Sequence, residues 1–118
     1  ESGIVITSSN TDFYNSVFAF KEGEIVAALF TKITNDGNVI CRGGYMDSEV
    51  PEKMRLIPFL LARLFADIKL KRDKDKYIFV HYQKDNLRNA VETVFGRAER
   101  KMVCIKLEYR WFTKIKDV

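Results

Sequence analysis

The longest periodic apolar run in the chain is Pro51 to Lys69, PEKMRLIPFLLARLFADIK. Met54, Ile57, Leu60, Leu61, Leu64, Phe65 and Ile68 recur at spacings of three and four, which gathers them on one face of an α-helix. A helix with one apolar face needs a partner surface, and the segments on either side supply it. There the apolar period shortens to two, or the apolar residues run together, as in half-buried and central strands. Strands are predicted over Gly3 to Ser8, Ser16 to Phe20, Ile25 to Ile33, Val39 to Met46, Lys76 to Tyr82 and Lys101 to Phe112. Ile78-Phe79-Val80 reads as buried on both faces. In the last strand Val103, Ile105, Leu107, Tyr109 and Trp111 share one face, opposite Lys106, Glu108 and Arg110.

Turn signals separate these elements. Ser9-Asn10-Thr11-Asp12 reads as a turn or as the cap of a one-turn helix holding Phe13 and Tyr14. Lys21-Glu22-Gly23-Glu24 and Asn35-Asp36-Gly37-Asn38 each close a hairpin. Gly43-Gly44 inside the fourth strand signals a bulge or a close backbone approach. Asp85 caps a second helix, Asn86 to Phe95, which Gly96 ends. The predicted order is ββββαβαβ: an α/β (α+β) domain over residues 1–118, with a mixed, largely antiparallel central sheet and two main helices. Residues 1–15 supply a strand and a turn, and 16–112 the core. Strands joined through one helix imply a crossover, so the long helix lies across the sheet and a ligand site is expected at its N-terminal end.

Composition narrows the function classes. At 118 residues and 47% apolar content the chain can bury a single core. No apolar run nears the ~20 residues of a membrane span, so no membrane role is expected. Cys41 and Cys104 lie in separate strand-like segments and read as buried, reduced thiols of a cytoplasmic protein. With one histidine they cannot form a zinc set of usual spacing, and no metal is expected. The opening Glu1-Ser2-Gly3 suggests a fragment of a longer chain. Charge is uneven: residues 1–50 carry three basic and seven acidic side chains, and 51–118 carry seventeen and nine, giving −4 and +8 within the net +4. The densest basic run is Lys69, Lys71, Arg72, Lys74 and Lys76, either a solvated helix end or a contact for a phosphate-bearing ligand or nucleic acid.

A hairpin, a glycine-bearing fourth strand, a long helix, a buried strand before an Asx-led helix, and a last strand together resemble the acyl-CoA N-acyltransferase fold of the GNAT superfamily, over about residues 16–112. Val39 to Tyr45 resembles the family's fourth strand. Its Cys41, Arg42, Gly43 and Gly44 then fall where backbone groups hold the acyl group and pantetheine arm. Val80 followed by Asp85-Asn86 is similar to the end of the fifth strand and the asparagine-opened helix after it. The resemblance implies an N-acyltransferase using acetyl-CoA or another acyl-CoA and an amine-bearing acceptor.

The chain departs from the family at the chemistry. The family's phosphate loop has the form Arg or Gln, x, x, Gly, x, Gly or Ala. Setting Arg55 on its basic position lays Leu56, Ile57, Pro58, Phe59 and Leu60 across the glycines, and Pro58 has no N–H to offer a phosphate. If Leu60 belongs to the core face instead, phosphate contacts come from 47–54. The family's tyrosine acid maps onto Glu92, which serves as acid or base only if buried and is otherwise a solvated helix residue. His81 and Tyr82, ending the fifth strand, are further proton-transfer candidates, or packing residues. Few residues precede the first hairpin to build the two helices of the family's acceptor side.

Two readings result. One is an acyl-CoA-dependent N-acyltransferase with a degraded cofactor loop. The other is a non-catalytic scaffold of the same fold, without cofactor, packing on a preceding domain or on a second copy through aromatics of the last strand. A nucleic-acid surface, with Tyr109, Trp111 and Phe112 interleaved with Lys106 and Arg110, has only charge in its favour and is not expected.

Overall fold

The structure, a computed structural model, describes residues 3–47, 53–82, 103–105 and 108–118. The first four strands form an antiparallel meander: β1 (Ile4–Asn10), β2 (Tyr14–Lys21), β3 (Glu24–Ile33) and β4 (Val39–Met46). The helix α1 (Lys53–Lys71) follows, then β5 (Tyr77–Tyr82), β6 (Val103–Ile105), β7 (Glu108–Lys114) and a 3-10 turn at Ile115–Asp117. All seven strands join one sheet in the order β1-β2-β3-β4-β5-β7-β6. Only β4 and β5 are parallel, and α1 is the crossover that parallel neighbours need.

Turn chemistry sets the meander. Glu22 (φ 53°) and Gly23 (φ 82°) both take the left-handed conformation, as a two-residue turn matched to strand twist requires. Between β1 and β2 the structure selects the turn from the two sequence readings. No one-turn helix forms at Thr11–Tyr14. Instead β1 runs on to Asn10, the Thr11 hydroxyl oxygen accepts from the N–H groups of Phe13 and Tyr14 (both 3.1 Å), and the chain turns straight into β2. β1 then pairs with β2 along its whole length.

α1 holds the core together. Leu56, Ile57, Leu60, Leu61, Leu64, Phe65 and Ile68 are buried against Val17, Ala19, Val26, Ala27, Val39, Ile78, Val80 and Trp111. Burying each such Leu or Ile is worth about 1.5–3 kcal/mol, enough in sum to sustain Pro58, which denies the Met54 carbonyl its helical hydrogen bond. Six of the seven predicted helix positions lie in this core; the side chain of Met54 lies outside the described set.

The C-terminal strand is corrected. Lys101 to Phe112 is not one strand: the chain reverses, pairing Cys104 with Tyr109 and Ile105 with Glu108. β7 is therefore an interior strand between β5 and β6, and Trp111 is fully buried. β7 is thus not an edge of the sheet, and Trp111 faces the core rather than a ligand. Ile78 and Val80 are buried as expected, but Phe79 faces away from α1 into a half-buried group with Tyr77 and Phe112. The second predicted helix, Asn86 to Phe95, lies outside the described residues.

The basic run has a structural role at the far end of α1. Arg72 donates from Nε to Asn15 Oδ1 (2.7 Å) and from Nη2 to the carbonyls of Tyr14 (3.1 Å) and Thr11. Asn15, itself buried, passes the link on through Nδ2 to Asn10 Oδ1 (2.9 Å). Its backbone N–H donates to Thr31 Oγ1, whose hydroxyl in turn donates to the Asn15 carbonyl. Lys69 Nζ donates to the Val118 carbonyl at 3.0 Å. Replacing Arg72 leaves Asn15 Oδ1 without its charged donor. Arg72→Met should lower stability by about 1–2 kcal/mol, the partly exposed setting reducing the usual value for a charged hydrogen bond. A lower urea midpoint at unchanged slope is the expected readout, and an unmoved midpoint would deny the clamp any energetic role.

Candidate functional site at the strand opening

β4 follows β5 for three pairs only, Val39 with Ile78, Ile40 with Phe79 and Cys41 with Val80. Beyond that point β5 continues along β7 to Tyr82, while β4 continues along β3 to Met46. Arg42 to Met46 thus have no ladder partner on the β5 side among the described strands. Unpaired strand backbone is a row of hydrogen-bonding groups open to an extended ligand.

A bulge marks where the strands part. Phe30 pairs with Gly43 and Thr31 with Cys41, so Arg42 is the extra residue on β4. The bulge reverses the alternation after it: Gly44 and Met46 turn toward the helix side, while Tyr45 is exposed on the other. Gly44 is the close backbone approach that the sequence signalled, because a Cβ there would stand 2.5 Å from the Ala28 carbonyl oxygen. A Cβ on Gly43 would meet nothing within 4 Å.

Cys41 is the last paired residue before the opening. Its side chain is buried, and burial pushes its thiol up to about 12 from 9.0. A thiol so buried and kept protonated is a weak nucleophile; Cys41 is a core residue whose backbone, rather than sulfur, borders the opening.

The helix end corrects the loop register. Residues 55–60 are helix, and Leu56 and Leu60 are each 1% exposed in the core. They are not a phosphate loop. The free N–H donors of a helix are those of its first four residues, here 53–56, so the missing N–H of Pro58 is no obstacle. The core packing of Leu60 matches the alternative register, in which the segment facing a phosphate is 47–54; of it, residues 48–52 lie outside the described set. Arg55 lies in the first turn of α1, its side chain outside the described set. The basic run begins at Lys69, about 21 Å beyond Arg55 along the helix, too far for both to hold one phosphate. Tyr82 ends β5 opposite Tyr109, its side chain likewise outside the described set. His81 is half-buried one residue earlier. Glu92 lies outside the described residues.

On the face away from α1, sequence reasoning missed a cleft. Tyr14, Phe30, Thr31, Lys32, Ile40, Arg42 and Gly43 line an open concavity of about 380 Å³. Tyr14 (55% exposed), Phe30 (44%) and Lys32 are outward positions on neighbouring strands. The available signal was an aromatic at each of two outward places where a solvated face would carry polar residues.

No family model matches the sequence, and no curated protein matches it either. Solved structures do match in fold. A Klebsiella pneumoniae protein assigned as an acyl-CoA N-acyltransferase superposes with a TM-score of 0.66 at 14% identity, covering 95% of this chain and 97% of that one. The chain has the GNAT fold. Escherichia coli ElaA matches with a TM-score of 0.65 at 14% identity, over 89% of this chain and 70% of its own. RimL, a ribosomal-protein alpha-N-acetyltransferase in complex with coenzyme A, matches with a TM-score of 0.62 at 13% identity, over 90% and 64%. Tyr14, Phe30 and Tyr45 stand partly exposed on the face of β2–β4 opposite α1.

Two measurements check this geometry. Gly44→Ala forces a Cβ against the β3 backbone and should cost about 1–3 kcal/mol, seen as a lower melting temperature. In a Cys104→Ser background, Cys41 should resist alkylation at pH 8 until the protein is unfolded. Because its pKa is raised by folding, its contribution to stability is complete below pH 9 and is lost as pH rises from 9 toward 12. Rapid labelling of the native protein would contradict this burial.

Proposed function

We propose that the chain is an acyl-CoA-dependent N-acyltransferase domain. The observation that carries the reading is the parting of β4 from β5 after Cys41 and Val80, with a bulge at Arg42 at the fork. The opening suits an extended, amide-bearing arm, because backbone donors and acceptors of 42–46 lie along one side of it. Arg42, Gly43, Gly44 and the backbone of Cys41 would hold the arm and acyl group. The first-turn amides of α1 with Arg55 would meet the phosphates. When bound, acyl-CoA supplies an activated thioester. In the transfer, the acceptor amine forms the new N–C bond, the C–S bond breaks, and the proton lost by nitrogen balances the thiol released. Tyr82 and Glu92 are the residues to test for moving that proton. A cytoplasmic setting, with both cysteines reduced, accords with this chemistry.

A specific observation favours the second reading, a scaffold of the same fold that binds no cofactor and docks on another domain or copy. With 55–60 in the helix, the phosphate-facing segment is Asp47 to Met54, which holds no glycine and three acidic residues, Asp47, Glu49 and Glu52, against Lys53 alone. Carboxylates there oppose a pyrophosphate.

Calorimetric titration with acetyl-CoA and with CoA separates the two. The acyltransferase reading expects micromolar binding, weakened about tenfold by Arg55→Ala as one charged phosphate contact is lost. No heat and no thermal shift at millimolar ligand would favour the scaffold.

A further inference from the structure

We propose that the cleft on the open face of β2–β4 is the acceptor site, and that it takes a small amine with an apolar or aromatic body and a carboxylate at its far end, the chemistry of a free amino acid. This rests on the acyltransferase reading. Four observations point to it.

The first is position. Arg42 and Gly43 belong both to the cleft and to the stretch of β4 that has parted from β5. A molecule in the cleft is thus next to the place proposed for the acyl group. Gly43 contributes no side chain there, and nothing stands within 4 Å of where its Cβ would be, so this part of the cleft is open.

The second is the lining. Register sets Lys32 opposite both Tyr14 and Ile40, and Phe30 opposite Gly43 in the next row. Tyr14, Phe30 and Ile40 offer an apolar surface three strands wide. The Phe30 ring is held edge-on against Phe18, with centroids 6.0 Å apart, so one wall is braced from behind.

The third is charge. Among the described lining residues none is acidic, and Lys32 is an exposed cation on the middle strand. Lys32 therefore offers an anion a charged partner and disfavours an ammonium beside it. A substrate with a carboxylate meets Lys32 with one end and keeps the amine clear of it.

The fourth is size. About 380 Å³ lies at the small end of ligand sites and suits a molecule of amino-acid dimensions better than a folded protein segment.

The test is a titration of the whole chain, without acyl-CoA, with L-phenylalanine and with phenethylamine, which has the same ring and amine but no carboxylate. Backbone amide resonances from a two-dimensional NMR spectrum are the readout. L-phenylalanine should shift Lys32, Arg42 and Gly43 and bind about tenfold more tightly than phenethylamine, the usual effect of one charge-assisted contact. Lys32→Glu should abolish that preference and Lys32→Arg should keep it. Both variants should melt at the wild-type temperature, since Lys32 is exposed. Equal affinity for the two ligands, shifts outside the cleft, no shifts at all, or a preference that survives Lys32→Glu would each overturn the proposal. Acetyl-CoA binding without amino-acid shifts would overturn the cleft and leave the acyltransferase reading standing. Amino-acid binding in a protein that gives no heat with acetyl-CoA would overturn the acceptor role and the acyltransferase reading together.

Discussion

The structure depends on the seating of α1 across one face of the sheet. The helix is the crossover between β4 and β5, so its packing decides where β5 lies beside β4 and how far the two strands run together. Its buried stripe is wide and aliphatic, and the strand residues beneath include Ala19 and Ala27, which let the helix approach closely. Polar contacts then fix its C-terminal end and flank. Arg72 ties the C-terminal end to the β1–β2 hairpin. Ser8 donates to Asp67 Oδ2 at 2.6 Å, and Arg63 reaches both Asp67 and the Ile6 carbonyl, holding the edge strand β1 to the helix. The strand opening thus combines helix docking, which sets β5 beside β4, with the local bulge at Arg42.

The two faces of the sheet have different tasks. The helix side is a closed core in which Cys41, Leu56 and Trp111 serve packing. The opposite side keeps aromatics partly exposed at Tyr14, Phe30 and Tyr45. The bulge at Arg42 connects these roles, because one extra residue reverses which side chains of β4 face the core. It keeps Met46 with the core and Tyr45 on the open face.

Chemistry was less legible than fold. Gly43-Gly44 was a readable signal, because a glycine pair inside a strand has few causes, and both suggested causes occur side by side: the bulge begins at Arg42 and Gly44 makes the close approach. Arg55 and the residues after it misled, because a motif can be laid on a helix start only once the first buried turn is known. The aromatic cleft was not readable, because its residues come from three strands and become neighbours only through register.

Local periodicity and turn chemistry are properties of a few consecutive residues, and these the sequence by itself determined: the helix from Lys53 onward, the meander with its two glycine turns, the parallel placement of β5 and the mixed sheet of the GNAT fold. Tertiary structure alone decided the reversal that makes β6 and β7 two strands, the burial of Leu56, the role of Arg72 and the joining of Tyr14, Phe30, Lys32 and Arg42 in one cleft. All but the first depend on contacts between residues distant in the chain. Such contacts are set by which surfaces pack together, and no local pattern encodes that.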